Sequence, residues 1–417
     1  MNKQKYYQTL STNEVKELLN RYFIYKPQME IIPITESDRR ILAEDIYSPI
    51  NVPHFNRSMR DGFAVKAEDT FNADEETPIR LKVVGNIFAG ENPSMKIDRG
   101  ECIQIATGAP VPKGADAIVM VEYTNMSNEN EVEIFRPVVP GQHIIKIGSD
   151  IKKGLKLLEK NHRLNPRDIG ALAAIGKQEI RVYSLPKITL FSTGNEIIPL
   201  ERELEPGKVY DINSYTLRLS LIRSGAIVSF NGIIPDESAL AKRSLLTAFK
   251  ESDLIILSGG TSKGIGDIFP SILSELGETE LLIHGIKIKP GKPTLFASII
   301  IENTRKLITM LPGFPTSALM IFNFFLKDII SRWSQNPVYP QKIIKAKLSE
   351  RVYSELGRLE LKSVRTIRKN NSYVAIPTKT GSDAITTLMG MDGYFEIPEQ
   401  VQIVEENEVI NVFLFDK

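Results

Sequence analysis

The residues best suited to chemistry sit in three loops. The first reads Ser258-Gly259-Gly260-Thr261-Ser262-Lys263-Gly264-Ile265-Gly266-Asp267, between the apolar run Asp253 to Leu257 and a helical stretch from Ile268 to Leu276. Open α/β sheets place ligands at such strand–helix turns. Glycines let backbone N–H groups approach a phosphate closely, and a helix N-terminus adds partial positive charge. Asp267 opposes an anion there unless it caps the helix, accepts a hydrogen bond or holds a metal. A Mg²⁺ between Asp267 and phosphate oxygens would resolve the conflict. Taken alone, the glycines fit a tight turn capped by Asp267 equally well, and neither GxxxxGK[ST] nor GxGxxG is present.

The second loop, Lys287-Ile288-Lys289-Pro290-Gly291-Lys292-Pro293, holds Lys289 and Lys292 near each other in a stiff turn. Like charges kept together raise the energy unless an oxyanion or a carboxylate lies between them. A solvated basic turn is the common alternative, and the Pro-Gly-x-Pro stiffness favours the oxyanion. The third, Leu311-Pro312-Gly313-Phe314-Pro315-Thr316-Ser317-Ala318, opens a helical stretch from Thr316 to Ile330. Ser317 and the free N–H groups of that helix could bind an anion. Read alone, the loop makes Thr316 or Ser317 an N-cap. Two further carboxylates stand in turns, Asp61 in Asn56-Arg57-Ser58-Met59-Arg60-Asp61-Gly62-Phe63 and Glu196 after Thr193-Gly194-Asn195. Asp-Gly is a common turn dipeptide, so Asp61 by itself reads as structural, as does the turn Thr107 to Pro112.

The surrounding patterns supply the elements that must position these loops. Ser11 stands three residues before Glu14, with Val15, Leu18, Leu19, Tyr22 and Phe23 on one helical face, which predicts a capped amphipathic helix over 11–24. From about Ile50 to Ile147 short apolar runs punctuated by Gly and Pro predict a β-rich segment, followed by a short helix from Asn165 to Ile175 with Pro166 in its first turn. From Lys187 strands alternate with helices: Ile188 to Phe191, Tyr215 to Arg223, Ile227 to Phe230, then Asp236 as the cap of a helix from Ser238 to Phe249. That alternation specifies a parallel sheet with helices on its faces. Beyond a linker at Pro337 to Pro340, the runs Lys342 to Leu348, Leu359 to Val364, Tyr373 to Ile376 and Val409 to Phe415 predict a small β domain.

Composition removes several functions. The 417 residues suit two to four domains, and 42% hydrophobic with 25% charged residues excludes a largely disordered chain. Fifty-two Lys and Arg against 51 Asp and Glu argue against a nucleic-acid or membrane-surface binder. The single cysteine, Cys102, excludes an intramolecular disulfide and a cysteine zinc site, and on an apolar run it reads as a small core residue. His54, His143, His162 and His284 lack HExxH spacing, which argues against a zinc hydrolase. A polar N-terminus without a signal-peptide core, and no apolar stretch long enough to span a bilayer, predict a cytoplasmic protein.

In combination the loops resemble the molybdopterin molybdenumtransferase family, represented by bacterial MoeA and the gephyrin E domain. The matching phrases are SMRDGFAV (58–65), ATGAPVPKGADAIVMVE (106–122), GQHIIKIGSDI (141–151), FSTGNEI (191–197), ILSGGTSKGIGD (256–267), IKPGKP (288–293) and LPGFPTSA (311–318), in the family's order. Where the family carries Met-Asp-Gly-Tyr, this chain has Met59-Arg60-Asp61-Gly62-Phe63, and His284-Gly285 stand where some members have a further lysine.

The resemblance implies an α/β multidomain protein. Its parts would be a central parallel α/β, molybdopterin-binding-like domain (185–335), a β-rich inserted domain (50–147), an N-terminal helical and linker domain (1–49 with 148–184) and a small C-terminal β-barrel-like domain (336–417). It implies an elongated homodimer with an intersubunit active site, in which molybdate is joined to the dithiolene of adenylylated molybdopterin with Mg²⁺-dependent release of AMP. By motif, Asp267 would hold Mg²⁺, and Gly259, Gly260, Thr261, Ser262 and Gly264 would cradle phosphates. Lys289, Lys292, Ser317, Arg358 (in LGRLEL) and Ser382 (in TGSDAI) would form the molybdate pocket. Asp61, Thr107, Asp150, Glu196 and Asp236 match further positions implicated in catalysis or substrate contact. Tungstate has nearly the size and charge of molybdate and is not distinguished. An adenylyltransferase could deliver the adenylate as a partner. The rival readings are a molybdopterin adenylyltransferase, which shares the α/β domain, and a non-enzymatic dimeric scaffold; retention of Asp267, Lys289, Lys292 and Ser317 favours the transferase.

Overall fold

A computed structural model of the chain describes residues 9–91, 94–235, 237–259, 265–335, 341–369 and 372–415, with backbone alone for 4–6, 265–268 and 270. The chain forms two units, Met1–Glu30 with Tyr183–Lys417, and Ile31–Val182.

The first unit is built on a seven-stranded sheet in the order Gln4–Tyr6, Glu278–His284, Leu295–Ile301, Thr304–Leu311, Leu254–Gly259, Lys187–Thr193, Ile227–Ile234. The last four run parallel, as the strand–helix alternation requires. The rest of the sheet departs from that expectation. Leu295–Ile301 and Thr304–Leu311 form an antiparallel hairpin, and Leu295–Ile301 is also antiparallel to Glu278–His284. The hairpin turns on Glu302 and Asn303, both at positive φ (47° and 60°). A two-residue turn of that hand joins neighbouring antiparallel strands and leaves no room for a crossover helix.

Every residue of Leu254–Gly259 is buried, because helices cover both faces of the sheet. One core gathers Ala241, Leu245 and Phe249 with Phe269, Ile272 and Leu273, from the helices Ser238–Glu251 and Ile265–Leu276. The other gathers Val15 and Leu19 with Leu217, Leu221, Phe322 and Trp333. Its first helix, Thr12–Tyr22, starts as predicted: the Ser11 N–H donates to Glu14 at 2.8 Å and the Glu14 N–H donates to Ser11 Oγ at 3.4 Å.

One capping expectation fails, and a second falls on a residue outside those described. The stretch predicted as one helix from Thr316 runs as Pro315–Ile321, a π turn Phe322–Leu326, and Lys327–Trp333. Phe314 is its N-cap residue, because Pro315 fits the first helical position, so Thr316 and Ser317 lie inside the first turn and neither caps it. The Ser238–Glu251 helix has Glu237 at the N-cap with no side-chain bond, while Asp236 lies outside the described residues.

The C-terminal strands close into a barrel. Leu359–Lys369 pairs with Ser372–Pro377 on one side and Gly393–Ile397 on the other, and Ile343–Leu348 and Val409–Leu414 complete the ring. A helix at Ile385–Gly390, absent from the sequence reading, packs on Pro315–Ile321. The basic turn is joined to the barrel too, since Ile288–Lys289 adds in parallel to Leu359 and Glu360.

In the second unit a six-stranded sheet runs Ala117–Met120, Gly62–Val65, Glu101–Ile105, Ile79–Ile87, Glu131–Ile134, Thr124–Asn128. Asn165 caps the helix Pro166–Ala174 through a bond from the Arg167 N–H at 2.9 Å. Cys102 is fully buried in this sheet's core, and burial pushes its thiol up to about 12. At pH 8 roughly one thiol in ten thousand is then ionised. Iodoacetamide labelling, followed by mass spectrometry, is expected to run at least about 100-fold slower than for a free thiol and to accelerate only in denaturant. Rapid labelling of native protein would place Cys102 at the surface.

Candidate active site

The C-terminal edge of the parallel strands gathers unused polar groups. Thr193 stands opposite Gly259 across two strands, and Ser258 stands opposite Leu311 across the next pair. Gly259 has φ +106°, and a side chain there would place its Cβ 2.3 Å from the Thr193 carbonyl oxygen. The Gly313 carbonyl accepts a 2.7 Å bond from Asn213 Nδ2. Around this junction Thr193 Oγ1, Ser258 Oγ, Thr316 Oγ1 and Asn213 Oδ1 are buried without a partner. Buried polar atoms are bonded in the great majority of cases, so these four orphans, two at strand ends and two in the first turns of helices, stand out. The N–H groups of the first turn after Phe314 lack helical acceptors there as well. Gly260, Thr261, Ser262 and Gly264 lie outside the described residues, as does the side chain of Asp267, whose backbone belongs to Ile265–Leu276.

The basic turn has resident carboxylates. Lys289 Nζ lies 3.5 Å from Glu355 Oε1 and 3.5 Å from Glu360 Oε2, and Arg358 pairs with the other oxygen of Glu355. Glu360 is buried and accepts a 2.8 Å bond from Ser354 Oγ. Lys289 and Arg358 are thus brought together by a shared carboxylate, Glu355, that sequence reasoning missed. Lys292 is exposed, and its carbonyl accepts from the Ile286 N–H. Gly291, at φ +105°, leaves no room for a Cβ against Ile321, which fixes the turn against the helix carrying buried Ser317. Ser382, half-buried, sits in the loop before Ile385–Gly390 and makes no bond to Lys289 or Arg358.

Glu196 is exposed, its carboxylate folded back over Gly194 and its carbonyl accepting from the Val209 N–H. Asp211, also absent from the sequence reading, is buried at the same strand end. It accepts from Ser192 Oγ at 2.7 Å and from the Ser214 N–H at 3.1 Å, which positions the helix that begins with Asn213. The signal for both was available in Asp211-Ile212-Asn213 following a short strand. Among the described residues no group of three His, Cys, Asp or Glu stands at metal-binding distances. These side chains alone therefore do not form a Mg²⁺ site.

In the other unit two phrases far apart in sequence are bonded into one loop pair. The Thr107 N–H donates to Asp61 Oδ1 at 2.8 Å, the Gly108 N–H to the Ser58 carbonyl, and the Ser58 N–H to the Ala109 carbonyl. The Thr107 backbone N–H and side-chain hydroxyl hold the Asp61 carboxyl below the usual carboxylate range. The bond accordingly persists above the ordinary carboxylate range and is lost as pH falls through that lowered value. Gly62 is obligatory beside it, because a Cβ would lie 1.9 Å from the Val119 carbonyl oxygen. Asp150 is exposed and is tied through its N–H to the Val52 carbonyl, with no bond to Asp61 or Thr107.

Residues 10–176 match the MoeA N-terminal region (domain I and II), 189–332 the probable molybdopterin binding domain, and 345–415 the MoeA C-terminal region (domain IV). The chain belongs to the MoeA family. A putative molybdopterin biosynthesis protein of Methanocaldococcus jannaschii is 35% identical over 409 residues, 96% of either chain. The molybdopterin molybdenumtransferase of Bacillus subtilis is 30% identical over 399 residues, 94% of this chain and 91% of that one. The solved structure of a molybdopterin biosynthesis MoeA protein from Pyrococcus horikoshii superposes with a TM-score of 0.75 at 36% identity, covering 98% of this chain and 100% of that one. MoeA membership covers the flanking regions as well as the binding domain, which separates this chain from a free-standing adenylyltransferase domain.

Proposed function

We propose that this MoeA-family transferase, a participant in molybdenum cofactor biosynthesis, joins molybdate to the dithiolene of adenylylated molybdopterin and releases AMP with the help of Mg²⁺. The observation that carries the reading is the presence in one unit of a basic pair, Lys289 and Arg358, and of four orphaned polar atoms at strand ends and helix starts. A phosphate-bearing pterin needs donors and acceptors in a preformed cleft, and a tetrahedral dianion needs paired cations.

In this reading Thr193, Ser258 and Thr316 bond the pterin or its phosphates beside the Gly259–Gly264 loop, and Asn213 accepts from a ring or ribose donor. Lys289, Lys292 and Arg358 supply positive charge to molybdate or tungstate, with Ser317 and Ser382 as hydroxyl donors. Asp267 would hold Mg²⁺, which would supply positive charge beside the departing phosphate; the other described residues do not complete such a site. Asp61, Thr107, Asp150, Glu196 and Asp236 complete the substrate contacts. The division into 1–49 with 148–184, 50–147, 185–335 and 336–417, a cytoplasmic location and an adenylyltransferase partner belong to the same proposal. No described helix is long and apolar enough to cross a membrane.

The intersubunit site requires a dimer, and one surface suits a second copy of the chain. Tyr215, Leu219 and Ile222 form an exposed stripe on Asn213–Arg223, beside exposed Ile227 and Phe230 on the edge strand of the sheet. Bare apolar edge strands attract association. Leu219, 62% exposed, makes the test clean, because Leu219→Arg disturbs no core. The variant is expected to be monomeric by light scattering and to release AMP at least about tenfold more slowly; an intact dimer would move the interface elsewhere.

The function itself is tested by AMP release from adenylylated molybdopterin with Mg²⁺, with and without molybdate. Molybdate-stimulated release is expected, and Asp267→Asn should abolish it while leaving circular dichroism unchanged. Consumption of ATP would instead indicate an adenylyltransferase. Adenylate binding by a folded dimer without release would indicate a scaffold.

A further inference from the structure

We propose that Glu355 is a displaceable carboxylate gate on the oxyanion site, occupying the charges of Lys289 and Arg358 until a dianion drives it aside. The inference rests on the molybdate reading of that turn and deepens it into a statement of what an anion must displace to bind there.

The two carboxylates at the turn differ in what holds them. Glu360 is 5% exposed, bonded by Ser354 Oγ at 2.8 Å and registered opposite Lys289 across paired strands. It is a fixed part of the wall. The Glu355 side chain is 57% exposed, and the bonds and ion pairs it makes are those to Lys289 and Arg358. Its loop is pinned on both sides, by the Ser354 N–H on the Gln402 carbonyl and by the Gly357 N–H on the Glu399 carbonyl. Glu355 can therefore leave by side-chain rotation into water, with no movement of the backbone.

The charge balance gives the gate its consequence. Lys289 and Arg358 bring two positive charges, and Glu355 and Glu360 bring two negative ones, so these four groups balance while the gate is closed. Rotation of Glu355 outward leaves a net single positive charge and frees the donors of Arg358 and Lys289. A monoanion entering in its place exchanges one negative charge for another and gains little. A tetrahedral dianion brings twice the charge and more acceptor oxygens, so it outcompetes the carboxylate. Glu355 thus lowers affinity for every anion that must displace it, by a common factor set by how firmly Lys289 and Arg358 hold it.

The test uses the full-length protein and equilibrium dialysis against molybdate with metal analysis, in the presence and absence of chloride. Glu355→Gln is expected to bind molybdate about three- to tenfold more tightly, because two partly exposed ion pairs that compete with the anion are removed and such pairs are individually weak. Chloride should compete more strongly in that variant than in the wild type, because it too no longer has to displace a carboxylate, and Glu355→Asp should restore part of the gate. Arg358→Ala serves as the control and should weaken molybdate binding. If Arg358→Ala weakens binding while Glu355→Gln leaves affinity and chloride sensitivity unchanged or lowers affinity, the gate is overturned and the oxyanion site stands. If neither substitution alters binding, the molybdate reading of this turn itself fails.

Discussion

Gly259→Ala is expected to lower AMP release by about two orders of magnitude while the protein remains folded. Gly259 closes the central strand Leu254–Gly259 with φ +106°, a region that an alanine enters only with strain. The added Cβ would stand 2.3 Å from the Thr193 carbonyl oxygen and 3.1 Å from Thr193 Oγ1. Relief requires the ends of two adjacent strands to separate at the point where Thr193 and Ser258 carry orphaned hydroxyls on opposite faces of the sheet. A displacement of about 1 Å at a positioning surface costs roughly a hundredfold in rate. Gly313 supplies the internal comparison. A Cβ there would meet only the Gly259 Cα at 3.6 Å, an ordinary contact, so Gly313→Ala should retain activity within about threefold. Steady-state AMP release and thermal melts of the two variants decide the matter. Equal losses would show that the loop as a whole, and not the Gly259–Thr193 contact, sets the geometry.

Sequence pattern exposed the parts of this protein in which local chemistry dictates structure. Ser11 with Glu14, and Asn165 ahead of Pro166, announced helices that begin where their capping groups place them. The strands Lys187–Thr193, Ile227–Ile234 and Leu254–Gly259 were legible from apolar runs separated by helical stretches. Between Glu278 and Leu311 the pattern gave no such guide, because three apolar strands follow one another without a helix and the turn residues, Glu302 and Asn303, carry no glycine. The site shows the same division. Asp61 and Thr107 could be singled out one at a time, but the N–H bond that joins them spans 46 residues of sequence, a pairing that periodicity does not encode. Glu355 and Glu360 were unreadable for a related reason. Their importance comes from the parallel pairing of Ile288–Lys289 with the first residues of a barrel strand, which brings acids from one apparent domain onto the lysine of another.

That pairing also determines what removal of Lys289 should do. Lys289→Ala deletes a charge-assisted contact to the oxyanion, which at about 1.5–3 kcal/mol corresponds to a ten- to hundredfold rise in the molybdate concentration giving half-maximal AMP release. The same substitution leaves Glu360 buried, with Ser354 as its remaining bonding partner, and a buried carboxylate stripped of its cation destabilises the fold. The single variant should therefore melt several degrees below the wild type, and its loss of activity has two sources. Lys289→Ala combined with Glu360→Gln separates them: the neutral amide keeps its bond to Ser354, so stability should recover while molybdate saturation remains weak. Binding of adenylylated molybdopterin should change less than about threefold in both variants, because the orphaned strand edge is untouched. Recovery of molybdate saturation in the double variant would mean that Lys289 serves only as the counterion of Glu360, and the oxyanion would then have to be held by Lys292 and Arg358.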